Sequence, residues 1–192
     1  MYTPAHFEVQ DRAELVAFMR RYNFATLVTA PDGNLTATHA PLVVRESGND
    51  IALIGHLSKT GLPVCFSDVL AIFTGPHSYV SPSLYESKLS VPTWNYTAVH
   101  AHGIARAIDT EAALMELVNA TEPAYRKQWD ELPEQFRAKM IGGVTAFEIR
   151  VNRLEGKYKL SQNRPSADRI RVTEAFDGTE LGEFMKNHVK ID

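Results

Sequence analysis

Cysteine is almost missing from this chain. With Cys65 alone, no internal disulfide can form and a cysteine-rich zinc cage is excluded, so a reducing compartment is the expected setting. No apolar run approaches the ~20 residues that cross a bilayer. The opening residues, Met1 to Phe7, lack the basic-then-apolar pattern of a secretory leader, which makes the cytoplasm the expected location. Positive charge is not in excess either: 20 Lys+Arg against 23 Asp+Glu give a formal net charge of -3. A protein that coats duplex nucleic acid by accumulated charge is therefore excluded, although a local basic patch is not. Neither a P-loop nor a Gly-x-Gly-x-x-Gly fingerprint occurs, and no Gly-x-Ser-x-Gly elbow marks a hydrolase nucleophile.

What is present is the composition of an ordinary globular protein, 192 residues with 44% hydrophobic and 9% aromatic side chains. No repeat, low-complexity tract or linker divides it, so one domain over 1–192 is expected, with a helical segment from about residue 166. Asp11 caps a first amphipathic helix carrying Leu15, Phe18, Met19 and Tyr22. Phe24 to Thr29 and Leu35 to Val44 read as a hairpin closed by Pro31-Asp32-Gly33-Asn34, followed by a strand over Ile51 to Leu57. Val69 to Thr74 has the branched composition of a strand buried on both faces. The serine- and proline-containing stretch from Gly75 to Pro92 reads as a long ordered loop. Trp94 to Ile108 predicts a long strand, Asp109 opens a helix, and Pro123 and Pro133 punctuate further helical sequence. Val144 to Leu154 is strand-like, and helices are expected around Arg169 to Phe176 and Thr179 to Asn187. Consecutive strands with helices in blocks point to a mainly β fold with peripheral helices (α+β), a small antiparallel barrel rather than a doubly wound sheet.

Several groups of residues carry chemistry. His100 and His102, two apart on a strand, share a face, but spacing marks no third metal ligand, and hydrogen-bonded strand histidines are the plainer reading. His39 and His56 are read in the same way. Ser81 and Ser83 coexist with histidines and acids without any marker of triad geometry, and Cys65 between Val64 and Phe66 reads as a small buried hydrophobe. Gly55-His56-Leu57-Ser58-Lys59 places a hydroxyl and an ammonium at a strand end, suited either to a phosphate or to plain solvation. Lys157 to Arg164 brings three cations and three hydrogen-bonding side chains into a run after a strand. Trp94-Asn95-Tyr96 suits stacking on a planar ring with an amide at its edge, the alternative being core packing of Trp94.

At these segments the chain resembles the PaiB-type family of FMN-binding negative transcriptional regulators. The matching blocks are Met1 to Phe7, His39-Ala40-Pro41-Leu42, Gly55-His56-Leu57, Phe73 to Pro82, Val91 to Tyr96 with Val99-His100, and Lys159 to Arg164. The resemblance implies a split β-barrel of the flavin-reductase and pyridoxamine-phosphate-oxidase type, a homodimer with FMN at the subunit interface. It implies cofactor contacts from Thr38, His39, His56, Ser58 and Lys59 at the phosphate end. Trp94, Asn95 and Tyr96 would lie near the ring or ribityl chain, with Lys159, Gln162, Asn163 and Arg164 closing the site. Two stretches depart from the family pattern: Leu57 to Pro63, where the family has Asn-Pro after a basic or polar residue, and Ser83-Leu84-Tyr85, where a Trp-Tyr pair is common. Three roles stay open: an FMN-binding negative transcriptional regulator, with direct contact to DNA left open; a flavin-dependent oxidoreductase acting on a small acceptor; and, ranked below flavin, a haem-binding protein.

Overall fold

The computed structural model describes residues 1–59 and 68–189. Its order is β1 (Glu8–Val9), α1 (Arg12–Arg21), β2 (Phe24–Thr29), β3 (Thr36–Pro41), β4 (Val43–Ser47), β5 (Asp50–Ser58), β6 (Asp68–Val80), β7 (Thr93–Ala107), α2 (Thr110–Thr121), α3 (Tyr125–Glu131), α4 (Glu134–Gly142), β8 (Val144–Lys159), α5 (Ser166–Ala175) and α6 (Glu180–His188). The strands form one sheet in the order β3-β2-β6-β7-β8-β5-β4, with β1 added beside β8. The pairs β2–β3, β2–β6, β4–β5, β5–β8 and β1–β8 are antiparallel. The expected mainly β architecture with outlying helices is what the chain adopts.

Four sequence expectations need correction. Gly75 to Pro92 is not one loop, because β6 continues to Val80 and a single 3-10 turn, Pro82–Leu84, follows. Pro76 lies inside that strand, and its carbonyl accepts from the Thr97 hydroxyl at 3.3 Å. The run from Lys157 does not follow a strand but begins within β8, which reaches Lys159. The segment Leu35 to Val44 is broken into β3 and β4, with Leu42 lying between them. Val69 to Thr74 is not buried on both faces but alternates, with Val69, Ala71 and Phe73 buried, Leu70 and Ile72 half-buried and Thr74 exposed. Cys65 and the departure over 60–63 lie outside the described residues.

Two compact units divide the chain. The larger holds 16–59, 68–73 and 100–154. Its core gathers Leu27, Leu53, Phe73, Phe147 and Ile149, all at most 1% exposed. Strand β7 passes so close to β8 that a Cβ on Gly103 would stand 2.3 Å from the Arg150 carbonyl oxygen, so only glycine fits there. Helix α2 begins where Asp109 accepts from the Ala112 amide at 2.8 Å, and it buries Ala113 beside Ile54 and Ala146. Replacing Asp109 by Ala orphans that amide and is expected to lower stability by about 1 kcal/mol. A urea midpoint unchanged from wild type would show that the cap contributes nothing.

The smaller unit holds 1–15, 74–99 and 155–189. Its β1 extends the end of β8, pairing Glu8 with Lys157 and Val9 with Gly156. Leu181, Phe184 and Met185 of α6 are buried, and Phe184 packs edge-on against Tyr158. The Tyr158 hydroxyl donates to Glu14 at 2.9 Å.

Candidate functional site

In the larger unit, the residues expected at a phosphate lie on β3 and on the end of β5. Thr38 and His39 are consecutive in β3 and therefore present opposite faces, whereas His56 and Ser58 share one. His39 is exposed, lies 3.1 Å from the Thr26 hydroxyl and stacks on Phe24 with ring centres 6.0 Å apart. Ser58 and Lys59 are exposed at the strand end, where the Lys59 amide donates to the Gly143 carbonyl at 3.1 Å. That bond fixes the backbone from which the exposed Lys59 side chain projects.

His56 differs from its neighbours. It lines an apolar cleft of about 380 Å³ with Leu42, Leu114, Leu117, Val118 and Tyr125. Its Nδ1 is enclosed and meets no hydrogen-bond partner among the described residues. Burial holds its pKa below the ordinary imidazole value. As pH falls, the unfolded chain therefore takes up this proton before the folded one does. The stability linked to neutral His56 is complete above about pH 6.5 and is lost as pH falls through the lower folded-state value. His56→Phe is accordingly expected to lose less stability than wild type between about pH 7.5 and about pH 5. Equal losses in paired denaturant titrations would count against this.

Beneath this strand end, Gly55 is buried, and a Cβ there would lie 2.7 Å from Leu42 and 2.8 Å from the tip of the Phe147 ring. Elsewhere in the unit the half-exposed Arg45 and the exposed Arg106 hold the buried Glu148 carboxylate, at 3.1 and 2.7 Å. Arg45 also pairs with Glu116, and that hydrogen bond, opposed by partial burial, raises its pKa.

The remaining candidates lie in the smaller unit. Trp94 is 54% exposed, which corrects the core-packing alternative, and it meets Tyr79 edge-on at 6.1 Å. Asn95, its neighbour in β7, points to the other face and is fully buried. The Asn95 side-chain oxygen Oδ1 accepts from the Ser161 hydroxyl at 3.1 Å, and its Nδ2 donates to the Met185 sulfur at 3.6 Å. Tyr96 shares Trp94's face and lies 5.2 Å from the Lys157 ammonium, which donates to the Tyr2 carbonyl.

The 160–164 turn is held by its own side chains. Gln162 accepts from the Leu160 amide and donates to the Tyr158 carbonyl, at 2.7 and 2.6 Å. Ser161 adopts φ 69°, the left-handed region that few non-glycine residues enter. Lys159 donates to the Thr93 hydroxyl and to the Trp94 carbonyl. Burial first, then the charges of Lys157 and Arg164, hold the Lys159 pKa below the ordinary ammonium value. Asn163 is exposed, and the Arg164 guanidinium stacks on Tyr85 at 4.1 Å.

Sequence reasoning missed Tyr85 and Thr93 as neighbours of these cations, because they precede Lys159 by more than sixty positions and no spacing rule links them. Ser81 and Ser83 bond to one another at 2.8 Å, and Ser81 also accepts from the Ser83 amide, which caps the 3-10 turn.

The architecture is that of the flavin-binding split barrels. A flavocytochrome, Anf3 from Azotobacter vinelandii, superposes with TM-score 0.62 at 18% identity, covering 79% of this chain and 69% of that one. A FAD- and heme-binding protein from Mycobacterium smegmatis gives 0.60 at 17%, covering 79% and 73%. At sequence level, the family described as "Putative FMN-binding domain" matches residues 1–153, and this chain belongs to it. It is also 34% identical over 208 aligned residues to protease synthase and sporulation protein PAI 2 of Bacillus subtilis, with 99% of both chains covered. FMN is thus the cofactor of the domain family to which this chain belongs.

Proposed function

We propose that the chain binds FMN and acts as a negative transcriptional regulator of the PaiB type, a cytoplasmic homodimer in which the bound flavin sets the regulatory state. The observation that carries the reading is end-to-end similarity to PAI 2, 99% of each chain, rather than a shared module alone. Two groups of residues are assigned to the cofactor, each within one unit. Ser58 and Lys59, with Thr38, His39 and His56, are the phosphate-end group. Trp94 and Tyr96, with Lys159, Gln162, Asn163 and Arg164, are the ring-side group, whereas Asn95, fully buried on the opposite face, supports the 160–164 turn through Ser161 instead of touching the ligand.

The residues fit such a ligand. Lys59 offers an exposed cation on an anchored backbone, His56 keeps one enclosed nitrogen without a partner among the described residues, and Trp94 exposes an aromatic face. FMN supplies a redox-active ring, and the side chains bind and orient it. In the phosphate-end group, Lys59 neutralises charge and Ser58 donates to a phosphate oxygen. In the ring-side group, Trp94 and Tyr96 provide planar contact while Gln162 keeps the turn in shape.

A second reading, a flavin-dependent oxidoreductase, is favoured by one feature: Tyr79 and Trp94 are both about half exposed, an open aromatic face on which a planar acceptor could rest. Absorbance spectra of the purified protein separate the readings. A flavin spectrum that NAD(P)H does not bleach, together with retardation of a promoter fragment that weakens steeply with salt, supports the regulator. Rapid bleaching and turnover of an acceptor support the enzyme, and a Soret band in place of flavin removes both.

A further inference from the structure

A recess in the smaller unit has properties that flavin stacking does not use. It is lined by Tyr85, Thr93, Asn95, Lys159, Ser161 and Arg164, among others, and encloses about 90 Å³. Sites for whole cofactor-sized ligands run from about 300 Å³. One small group fits and a ring system does not.

The lining is cationic. Lys159 and Arg164 both border the recess, and among the described residues that line it there is no carboxylate. Tyr85 is only 3% exposed, yet its hydroxyl is enclosed without any hydrogen-bond partner among the described residues. A buried hydroxyl left in that state is costly unless something else occupies the space beside it. Its surroundings are held firmly: the Arg164 amide closes a turn onto the Ser161 carbonyl at 3.0 Å, and Asn95 fastens the Ser161 hydroxyl from below. Ser161 keeps its left-handed backbone within this frame, and strain of that kind persists where the surrounding structure enforces it. The depressed pKa of Lys159 has the same origin, cations gathered and desolvated without an anion.

We propose that this recess is an oxyanion site, taking one phosphate-sized group held by Lys159, Arg164 and the Tyr85 hydroxyl. It departs from the flavin reading at two residues, since that reading assigns the FMN phosphate to Ser58 and Lys59 and sets Lys159 and Arg164 on the ring side. The oxyanion comes either from free phosphate or from the phosphate of a larger ligand, FMN included.

The test is calorimetric titration of the full chain with inorganic phosphate, with FMN and with riboflavin, in wild type, Tyr85→Phe and Arg164→Gln. Phosphate is expected to bind wild type and to bind both variants about ten-fold or more weakly. If the variants keep the wild-type preference for FMN over riboflavin, free phosphate is the source. If they lose that preference, the FMN phosphate occupies this recess and its assignment to Lys59 falls. Phosphate binding absent or equal in all three proteins, with an unchanged flavin preference, overturns the proposal. Should no flavin bind at all, the flavin reading fails while the phosphate arm still decides this one. Tyr85→Phe keeps the ring beneath Arg164, so it reports even if Arg164→Gln does not fold.

Discussion

Truncating Phe147 to Ala is expected to destabilise the protein by about 3–5 kcal/mol, the usual cost of removing a fully enclosed aromatic ring. The ring is 1% exposed and lies against the bare backbone of Gly55, with Leu42 on the same spot. Nothing small enough to refill the void is available, because β8 and β5 are locked in register, Phe147 opposite Gly55 and Ala146 opposite His56. The loss therefore reaches the strand that carries His56, Ser58 and Lys59. Urea denaturation reads it as a lower midpoint with an unchanged slope. Phe147→Leu is expected to lose markedly less, since much of the volume is kept. A Phe147→Ala loss below about 1 kcal/mol would mean that the ring is not the filler of this core.

Lys59→Ala is expected to weaken FMN binding by on the order of 1.5–3 kcal/mol, the range for a hydrogen bond to a charged group. That corresponds to roughly ten- to a hundred-fold in affinity. The lower figure applies if bound flavin leaves the strand end as open as it is now, because exposed charges are screened. Alanine preserves the backbone bond to Gly143, so the variant should fold normally and its affinity for riboflavin, which has no phosphate, should match wild type. FMN affinity equal to wild type would remove Lys59 from the phosphate.

Much of the scaffold was legible because it is written in local chemistry. Asp109 before an apolar-periodic stretch announced α2, and the Asp32-Gly33 turn announced the β2–β3 hairpin; both residues of that turn take positive φ. Strand β6 was truncated in the sequence reading because Gly75 and Pro76 look like turn residues, while the pairing that keeps the strand extended is long-range. The end of β8 was hidden by Gly156, whose lack of a Cβ serves a close approach to Leu15 and Val9 rather than a turn.

The candidate site was legible in part and for a different reason. Lys159 and Arg164 stand out as charges in a short run, whereas their partners Thr93 and Tyr85 are ordinary residues in distant segments. Trp94 could not be placed from sequence, since an aromatic residue in a strand serves a core and a ligand equally well. Only the observed exposure separates the two.

Equilibrium titration of the apoprotein with FMN, followed by flavin fluorescence and paired with riboflavin, tests the central claim most directly. Saturable FMN binding, tighter than riboflavin by at least about ten-fold, is the result expected of a split barrel with a cationic phosphate contact. Flavin emission that stays at the free-ligand value throughout, with neither compound bound, would contradict it.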